Sequence, residues 1–255
     1  MIHYPNIDPV FLKIGILEIR WYGLAYMAGV LLGFFYLRKH FLGRLKVTSD
    51  QLMGLMSELT LGILLGGRIG YILFYDVLFY LSNPKEILAF WNGGMSFHGG
   101  AIGGAIAFIW FGRRHRVSIW ALLDLFSIGG TFGLLFGRLS NFINGELYGR
   151  VTDVPWGMVF PSGGPQTRHP SQLYEAFFEG FVIFMILRYL MKSNRLSTGQ
   201  LGGVFLILYG SMRFFLEYCR QPDAHLGVLL LGLSMGQLLC LATVSVGGAV
   251  FYYRR

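Results

Sequence analysis

Charge is what this chain has least of. Asp, Glu, Lys and Arg make up only 13% of its 255 residues, while 54% are hydrophobic. A soluble domain carries about 25% charged residues, so a water-soluble globular protein is excluded and an integral membrane protein expected. A spanning helix needs ~20 apolar residues, which leaves room for about six to eight spans. Cysteine is nearly absent. Cys219 and Cys240 cannot make a disulfide framework, and their spacing fits neither a metal motif nor a CxxC pair. They read as small apolar residues in membrane helices. Acidic residues are scarce too, 13 against 21 Lys and Arg, for a net charge of +8. No basic–aromatic repeat accompanies that excess, which argues against nucleic acid and for anionic membrane lipid as a partner. The opening MIHYPNIDPVFLKIG lacks a basic region followed by an apolar core and a small-residue cleavage site, so no removable signal peptide is expected. A G-x-S-x-G elbow, an H-E-x-x-H helix, a P-loop and a Cys/His/carboxylate cluster with metal spacing are also missing. Chemistry by this chain would come from arginines, tyrosines, a histidine and a few carboxylates, with no metal and no organic cofactor.

What is present is a succession of apolar runs. Seven can be read: about Trp21 to Leu37, Leu52 to Tyr75, a third within Ile87 to Gly112, Ile119 to Gly137, Leu173 to Met191, Gln200 to Leu216, and a seventh within Leu226 to Tyr253. The expected fold class is therefore an all-α polytopic membrane protein with seven transmembrane helices. Short connections and the lack of a soluble insert argue for one membrane-embedded domain over residues 1–255. The connections alternate in basic content. One set holds Arg38, Lys39, Arg44 and Lys46, then Arg113, Arg114 and Arg116, then Lys192 and Arg195, and finally Arg254 and Arg255; the opposite set is poorer. The positive-inside rule places the C-terminus in the cytoplasm and, with seven spans, the N-terminus outside. The long loop of about residues 141–172, rich in Gly and Pro, then falls on the outer face. Loops of that length are often functional.

Polar groups inside apolar runs are costly, about 2.5–3.5 kcal/mol per charge on insertion scales, and so point to sites. Arg138 closes the fourth run, and Asn141, three residues on, shares its helical face. Asn144 and Glu146 follow in a glycine-broken stretch. Arginine snorkelling to headgroups explains Arg138 alone, but not the adjoining NFINGE. Tyr209, Arg213 and Glu217 recur at i, i+4, i+8 and stack along one helical face. An arginine held by a carboxylate one turn away keeps donors to spare, and its planar fork suits a phosphate. A structural salt bridge is the plainer alternative. His98 sits in GGMSFHGGAIGG, flanked by glycines that permit close approach; its ordinary pKa would let it serve as a base near neutrality. Arg68 and Tyr71 share a face, with substrate contact and pairing with Glu58 both open. In Arg168–Glu175, Ser171 could be a helix N-cap with Glu175 near the first turn.

The motifs GGMSFHGG (93–100), GRLSNFINGELYGR (137–150), RHPSQLYE (168–175) and RFFLEYCRQPD (213–223), with WYGLAYMAG (21–29) and GGRIGYILFY (66–75), together resemble the bacterial prolipoprotein diacylglyceryl transferases. The resemblance covers nearly the whole chain in order. Ser140 stands where the family usually has Gly or Ala, and the stretch between Met158 and Arg168 is short for the family. The resemblance implies seven membrane helices in the bacterial cytoplasmic membrane, with a cavity open to lipid and to the outer face. It implies transfer of a diacylglyceryl group from phosphatidylglycerol to the lipobox cysteine of a preprolipoprotein, with release of glycerol phosphate. The family's functional positions fall on Tyr22, His98, Arg138, Asn141, Glu146, Tyr209, Arg213 and Glu217. On this reading His98, Arg138 and Arg213 carry the chemistry. Tyr22, Arg68, Asn141, Asn144, Glu146, Tyr209 and Glu217 contact substrate or orient those that do. A transporter for an anionic solute would also bury arginines, though internal repeat symmetry is lacking. A non-catalytic lipid-binding protein is the other alternative.

Overall fold

The computed structural model describes residues 2–5, 7–15, 17–45, 47–89, 93–221 and 233–255. The helices are α1 (Trp21–His40), α2 (Leu42–Leu45), α3 (Ser49–Tyr75), α4 (Val77–Ser82), α5 (Phe97–His115), α6 (Ile119–Ile143), α7 (Ser171–Glu175), α8 (Ile183–Ser193), α9 (Gln200–Leu216) and α10 (Met235–Tyr253). A π-helical stretch, Ala176–Val182, joins α7 to α8. Among the described residues α3, α6 and α10 are each long and apolar enough to cross a membrane. Large apolar side chains remain exposed along the helices, as lipid-facing surfaces require: on α5, Ile102, Ile106, Ile109 and Trp110 all lie open. The chain divides into two compact units, Met1–Leu37 with Leu123–Arg255, and Arg38–Leu122.

In the Arg38–Leu122 unit, α3 and α5 pack antiparallel along a glycine seam. A Cβ on Gly66 would lie 2.9 Å from Gly103 Cα, and one on Gly70 would lie 2.8 Å from Gly99 Cα. Only hydrogen side chains allow backbones this close, the small-residue packing that joins helices in lipid. Thr48 starts α3 with a capping box, its hydroxyl accepting from Gln51 N at 3.2 Å while Gln51 Oε1 accepts from Thr48 N at 2.8 Å. Glu58 pairs with Arg114 at 3.7 Å. The expected third span is shorter than its apolar run. Pro84–Leu88 is a 3-10 turn, Gly93 and Gly94 adopt φ of 80° and 78°, and α5 starts only at Phe97. Left-handed glycines cannot continue a helix, so the absence of charge in that run did not mark helix.

In the other unit α9 and α10 pack just as closely. A Cβ on Gly247 would fall 2.8 Å from Gly203 O, and one on Gly210 would fall 2.9 Å from Cys240 O. Asp124 of α6 caps α9 from outside, accepting from Gly199 N at 2.7 Å and Gly202 N at 2.8 Å. A carboxylate at a helix N-terminus satisfies donors that the helix cannot. Helix α1 rests on α6, where a Cβ on Gly29 would meet Phe132 O at 3.2 Å. Helix α6 runs past Gly137 to Ile143, so Arg138 and Asn141 do lie on continuous helix. It stops where Gly145 and Leu147 take φ of 65° and 55°, and Tyr4 Oη caps it, donating to the oxygens of Phe142 at 2.8 Å and Ile143 at 2.6 Å.

The loop after α6 is ordered. Strand β1 (Ile2–His3) pairs in parallel with β4 (Met158–Val159), and β2 (Val10–Ile14) pairs antiparallel with β3 (Leu17–Arg20). Met158 and Arg168 exchange both backbone bonds, at 2.9 and 2.8 Å, which closes the stretch that is short for the family. The sequence expectation for Ser171 needs correcting: Pro170 holds the N-cap position, and the Ser171 hydroxyl donates to Leu147 O at 3.1 Å. It ties α7 to the end of the α6 turn rather than capping its own helix. The first residues of the expected seventh span, 226–232, and Pro222–Asp223 of the RFFLEYCRQPD motif lie outside the described residues.

Candidate active site

Two apolar helices carry an arginine towards their C-terminal ends: Arg138 lies five residues before the end of α6, and Arg213 lies in the last turn of α9. Between them stand two carboxylates of the α7–π segment, Glu175 and Glu179, with side chains 1% and 0% exposed. Arg138 Nε lies 2.7 Å from Glu175 Oε2 and 3.9 Å from Glu179 Oε2. Arg213 Nη1 lies 3.1 Å from Glu175 Oε1 and 3.6 Å from Glu179 Oε1. Arg213 Nη2 donates to Glu217 Oε2 at 3.2 Å, the i,i+4 pair that the sequence spacing predicts. Arg220 Nη1 adds a third cation, 3.3 Å from Glu175 Oε1. Glu175 thus ties three arginines together. Glu217 in turn accepts from Ser234 Oγ at 3.3 Å.

The arginines are held but not used up. A guanidinium has five N–H donors. Neither terminal nitrogen of Arg138 makes a hydrogen bond to a described residue, and its side chain is 19% exposed. Buried Arg213 Nη1 is charge-paired without an aligned hydrogen bond. Fixed guanidinium groups with open donors can take an anion without reorganising.

Around Arg138 the α6–loop turn supplies polar groups. Glu146 Oε1 accepts from Asn141 Nδ2 at 2.8 Å and Asn144 Nδ2 at 3.3 Å. Arg138 is ion-paired with Glu175, while Glu146 is held by the two asparagines. Tyr22 lies 3.4 Å, oxygen to oxygen, from Tyr26 and within electrostatic reach of both Glu146 and Arg138. Tyr209 stacks on Phe205 and faces Arg213, Arg138 and Glu179. Fully buried Ser140 donates to Phe136 O at 2.8 Å, so the small side chain is absorbed by its own helix. The unit therefore gathers Tyr22, Arg138, Asn141, Asn144, Glu146, Tyr209, Arg213 and Glu217 around Glu175 and Glu179.

The following loop is fixed to this cluster through backbone and side chain. Gln172 Nε2 donates to Glu146 O. Arg168 donates to Gly163 O at 2.9 Å and to Gln221 Oε1 at 3.3 Å, and lies over the Tyr148 ring. His169 Nδ1 is 3.3 Å from Tyr174 Oη, which accepts from Trp156 Nε1 at 2.6 Å. Partial burial lowers the His169 pKa from its ordinary value, because it penalises the charged ring.

Arg68 and His98 belong to the Arg38–Leu122 unit. Arg68, only 2% exposed, is satisfied by main chain. It donates to the oxygens of Ile87 at 3.1 Å, Gly94 at 3.1 Å and Ala89 at 3.2 Å, and also to those of Glu86 and Gly93. The Tyr80 ring lies 5.1 Å away. Arg68 thus staples the segment before α5, and the salt bridge to Glu58 that the sequence left open goes to Arg114 instead. His98 is exposed in the first turn of α5, two residues after the capping Ser96.

Sequence reasoning passed over Glu179 and took Glu175 for a helix-start residue. A usable signal was present: two carboxylates four residues apart at the start of an apolar run require buried cations somewhere else in the chain.

The site is thus a pair of arginines with open donors on one buried carboxylate, in a helical chain whose apolar side chains lie exposed. The chain belongs to the prolipoprotein diacylglyceryl transferase family, whose model matches residues 9–253. Similar proteins span almost its full length. A phosphatidylglycerol–prolipoprotein diacylglyceryl transferase of Rhodospirillum rubrum is 50% identical, over 99% of this chain and 94% of its own. Enzymes of the same name from Geobacter sulfurreducens, at 49% over 92% and 91%, and from Nitratidesulfovibrio vulgaris, at 47% over 97% and 94%, match likewise.

Proposed function

We infer that this protein transfers the diacylglyceryl group of phosphatidylglycerol to the lipobox cysteine of a preprolipoprotein, forming a thioether and releasing glycerol phosphate. The observation that carries this reading is the arginine pair on Glu175, whose open donors suit a phosphodiester, within a chain about half identical to enzymes of that name. The reaction forms a C–S bond at a glyceryl carbon and breaks the C–O bond to phosphate. The departing glycerol phosphate keeps the electron pair. Arg138 and Arg213 stabilise charge that grows on this leaving group as the bond breaks, which is where stabilisation accelerates a reaction. The nucleophile is a thiolate, and His98 is the group proposed to accept the thiol proton. Asn141, Asn144, Glu146, Tyr22 and Tyr209 position the headgroup, and Glu217 orients Arg213. Arg68 acts through the loop carbonyls it holds, shaping the segment that leads to His98.

The topology that accompanies this reading has seven spans in the bacterial cytoplasmic membrane, with the N-terminus and the 141–172 loop outside and the C-terminus inside. That places the cavity where an exported precursor presents its cysteine. The basic residues of α1's last turn, Arg38 and Lys39, and of α5's, Arg113 and Arg114, support it. The test is direct: purified protein, phosphatidylglycerol and a lipobox peptide, read as a diacylglyceryl mass increase on the peptide cysteine. No increase, alongside an active family member as control, would overturn the assignment.

A further inference from the structure

One carboxyl in the cluster has a position that the transfer reaction does not require. Glu179 is fully buried, and neither of its oxygens accepts a hydrogen bond from a described residue. Its nearest guanidinium nitrogens are 3.6 and 3.9 Å away, whereas Glu175 and Glu217 meet theirs at 2.7 to 3.3 Å. Glu175 lies four residues before it and faces the same two arginines. Two carboxylates that share one site repel, and one proton shared between them relieves the repulsion.

The charges of the cluster make the consequence specific. Arg138, Arg213 and Arg220 are ion-paired with Glu175, Glu179 and Glu217, so the cluster is neutral with all three carboxyls ionised. Tyr209 and Cys240 also face Glu179, and as neutral groups they add no charge. A phosphodiester headgroup brings one more negative charge into this buried site. Glu175 and Glu217 have guanidinium nitrogens within 3.3 Å, whereas those of Glu179 lie at 3.6 and 3.9 Å.

We propose that Glu179 is the proton-binding carboxyl of the arginine cluster: it is the group whose proton occupancy rises, by uptake from solvent, when an anionic phosphodiester headgroup binds. The inference rests on the phosphatidylglycerol reading above. Glu179 is on this view a positioning residue. Its proton removes a negative charge that competes with the phosphate for Arg138 and Arg213.

The experiment titrates the full chain in detergent with a short-chain phosphatidylglycerol, whose phosphodiester keeps one charge from about pH 5 to 8. Calorimetry in two buffers of different ionisation enthalpy reads the protons exchanged. The wild type is expected to take up more protons per lipid than Glu179→Gln, the difference approaching one at pH values where the carboxyl of the empty site is ionised. Its affinity should weaken by up to about tenfold per pH unit across the window in which the carboxyl ionises. The variant, a neutral side chain of the same shape, should lose that component of the slope, while His98 and His169 remain in both proteins. Equal proton uptake by the two proteins overturns the inference. So does uptake near zero by the wild type alone, a result that does not depend on the variant folding. If the wild type binds neither phosphatidylglycerol nor transfers it, the functional reading fails instead.

Discussion

Replacing Glu175 by Gln would test the organisation of the site most severely. The substitution keeps the side chain's shape and removes one charge that meets Arg138 at 2.7 Å, Arg213 at 3.1 Å and Arg220 at 3.3 Å, with the carboxylate 1% exposed. Each of those contacts is worth about 5 kcal/mol at an effective dielectric near 20. Desolvation of the buried ions opposes that gain by several kcal/mol per ion. Breaking a buried pair from one side costs about 3–5 kcal/mol net, since the remaining charge stays buried. The cluster would go from balanced to one uncompensated cation. In detergent the thermal midpoint should fall by on the order of 10 °C. Arg138 would also lose its shortest contact, and a displacement of ~1 Å in a positioning group costs about 10²-fold in rate. Transfer to the lipobox peptide should therefore fall by about that factor at a temperature where the variant is still folded. Glu175→Asp, which shortens the reach but keeps the charge, should lie between. A midpoint within about 2 °C of wild type, with transfer within about threefold, would refute the view that Glu175 anchors the arginines.

Other outcomes follow from single contacts. Arg138→Ala should abolish measurable transfer, and Arg138→Lys, which keeps the charge but not the fork, should lose about 10²–10³-fold; an alanine variant within about threefold of wild type would remove Arg138 from the leaving-group role. Asp124→Ala leaves two amides at the start of α9 without their carboxylate, at 2.7 and 2.8 Å in the native protein, and should cost about 2–4 kcal/mol of stability, measured by thermal unfolding, with the transfer rate of the folded fraction retained. The lowered His169 pKa means that the unfolded chain binds this proton more readily than the native one. The neutral ring's contribution is complete above about pH 6.5 and is lost as pH falls through the native value. The midpoint should decline as pH falls below about 6.5, and His169→Gln should flatten that decline.

The helices of this fold are largely legible as apolar runs, because a bilayer imposes a length and a composition on each span. The segment before α5 was not, since Gly93 and Gly94 break the helix without lowering hydrophobicity. Within the site, spacing alone reveals Arg213 with Glu217, since an i,i+4 pair is local. The partners of Arg138 were hidden for the opposite reason. Glu175 and Glu179 belong to another helix, and only tertiary packing brings them to 2.7 and 3.9 Å. The five main-chain oxygens around Arg68 left no trace in the sequence either, since a backbone acceptor has no side-chain signature.

In the segment proposed as the fifth span, the π-helical stretch Ala176–Val182 separates two ends that answer to different partners. Its wider turns set the carboxylates of the first half out of phase with the α-helical second half, where Ile183, Leu187 and Met191 are buried at regular spacing. Such stretches are rare outside functional sites. Removing one residue from it would let the span relax to ordinary α-helix, but would also turn everything beyond it by about 100°. Glu175 could then keep its arginines, or the second half could keep its apolar face against the rest of the unit, but not both. The site and the span that supports it are thus joined through a gear of fixed length, and evolution of either end is constrained to substitutions rather than to insertions or deletions.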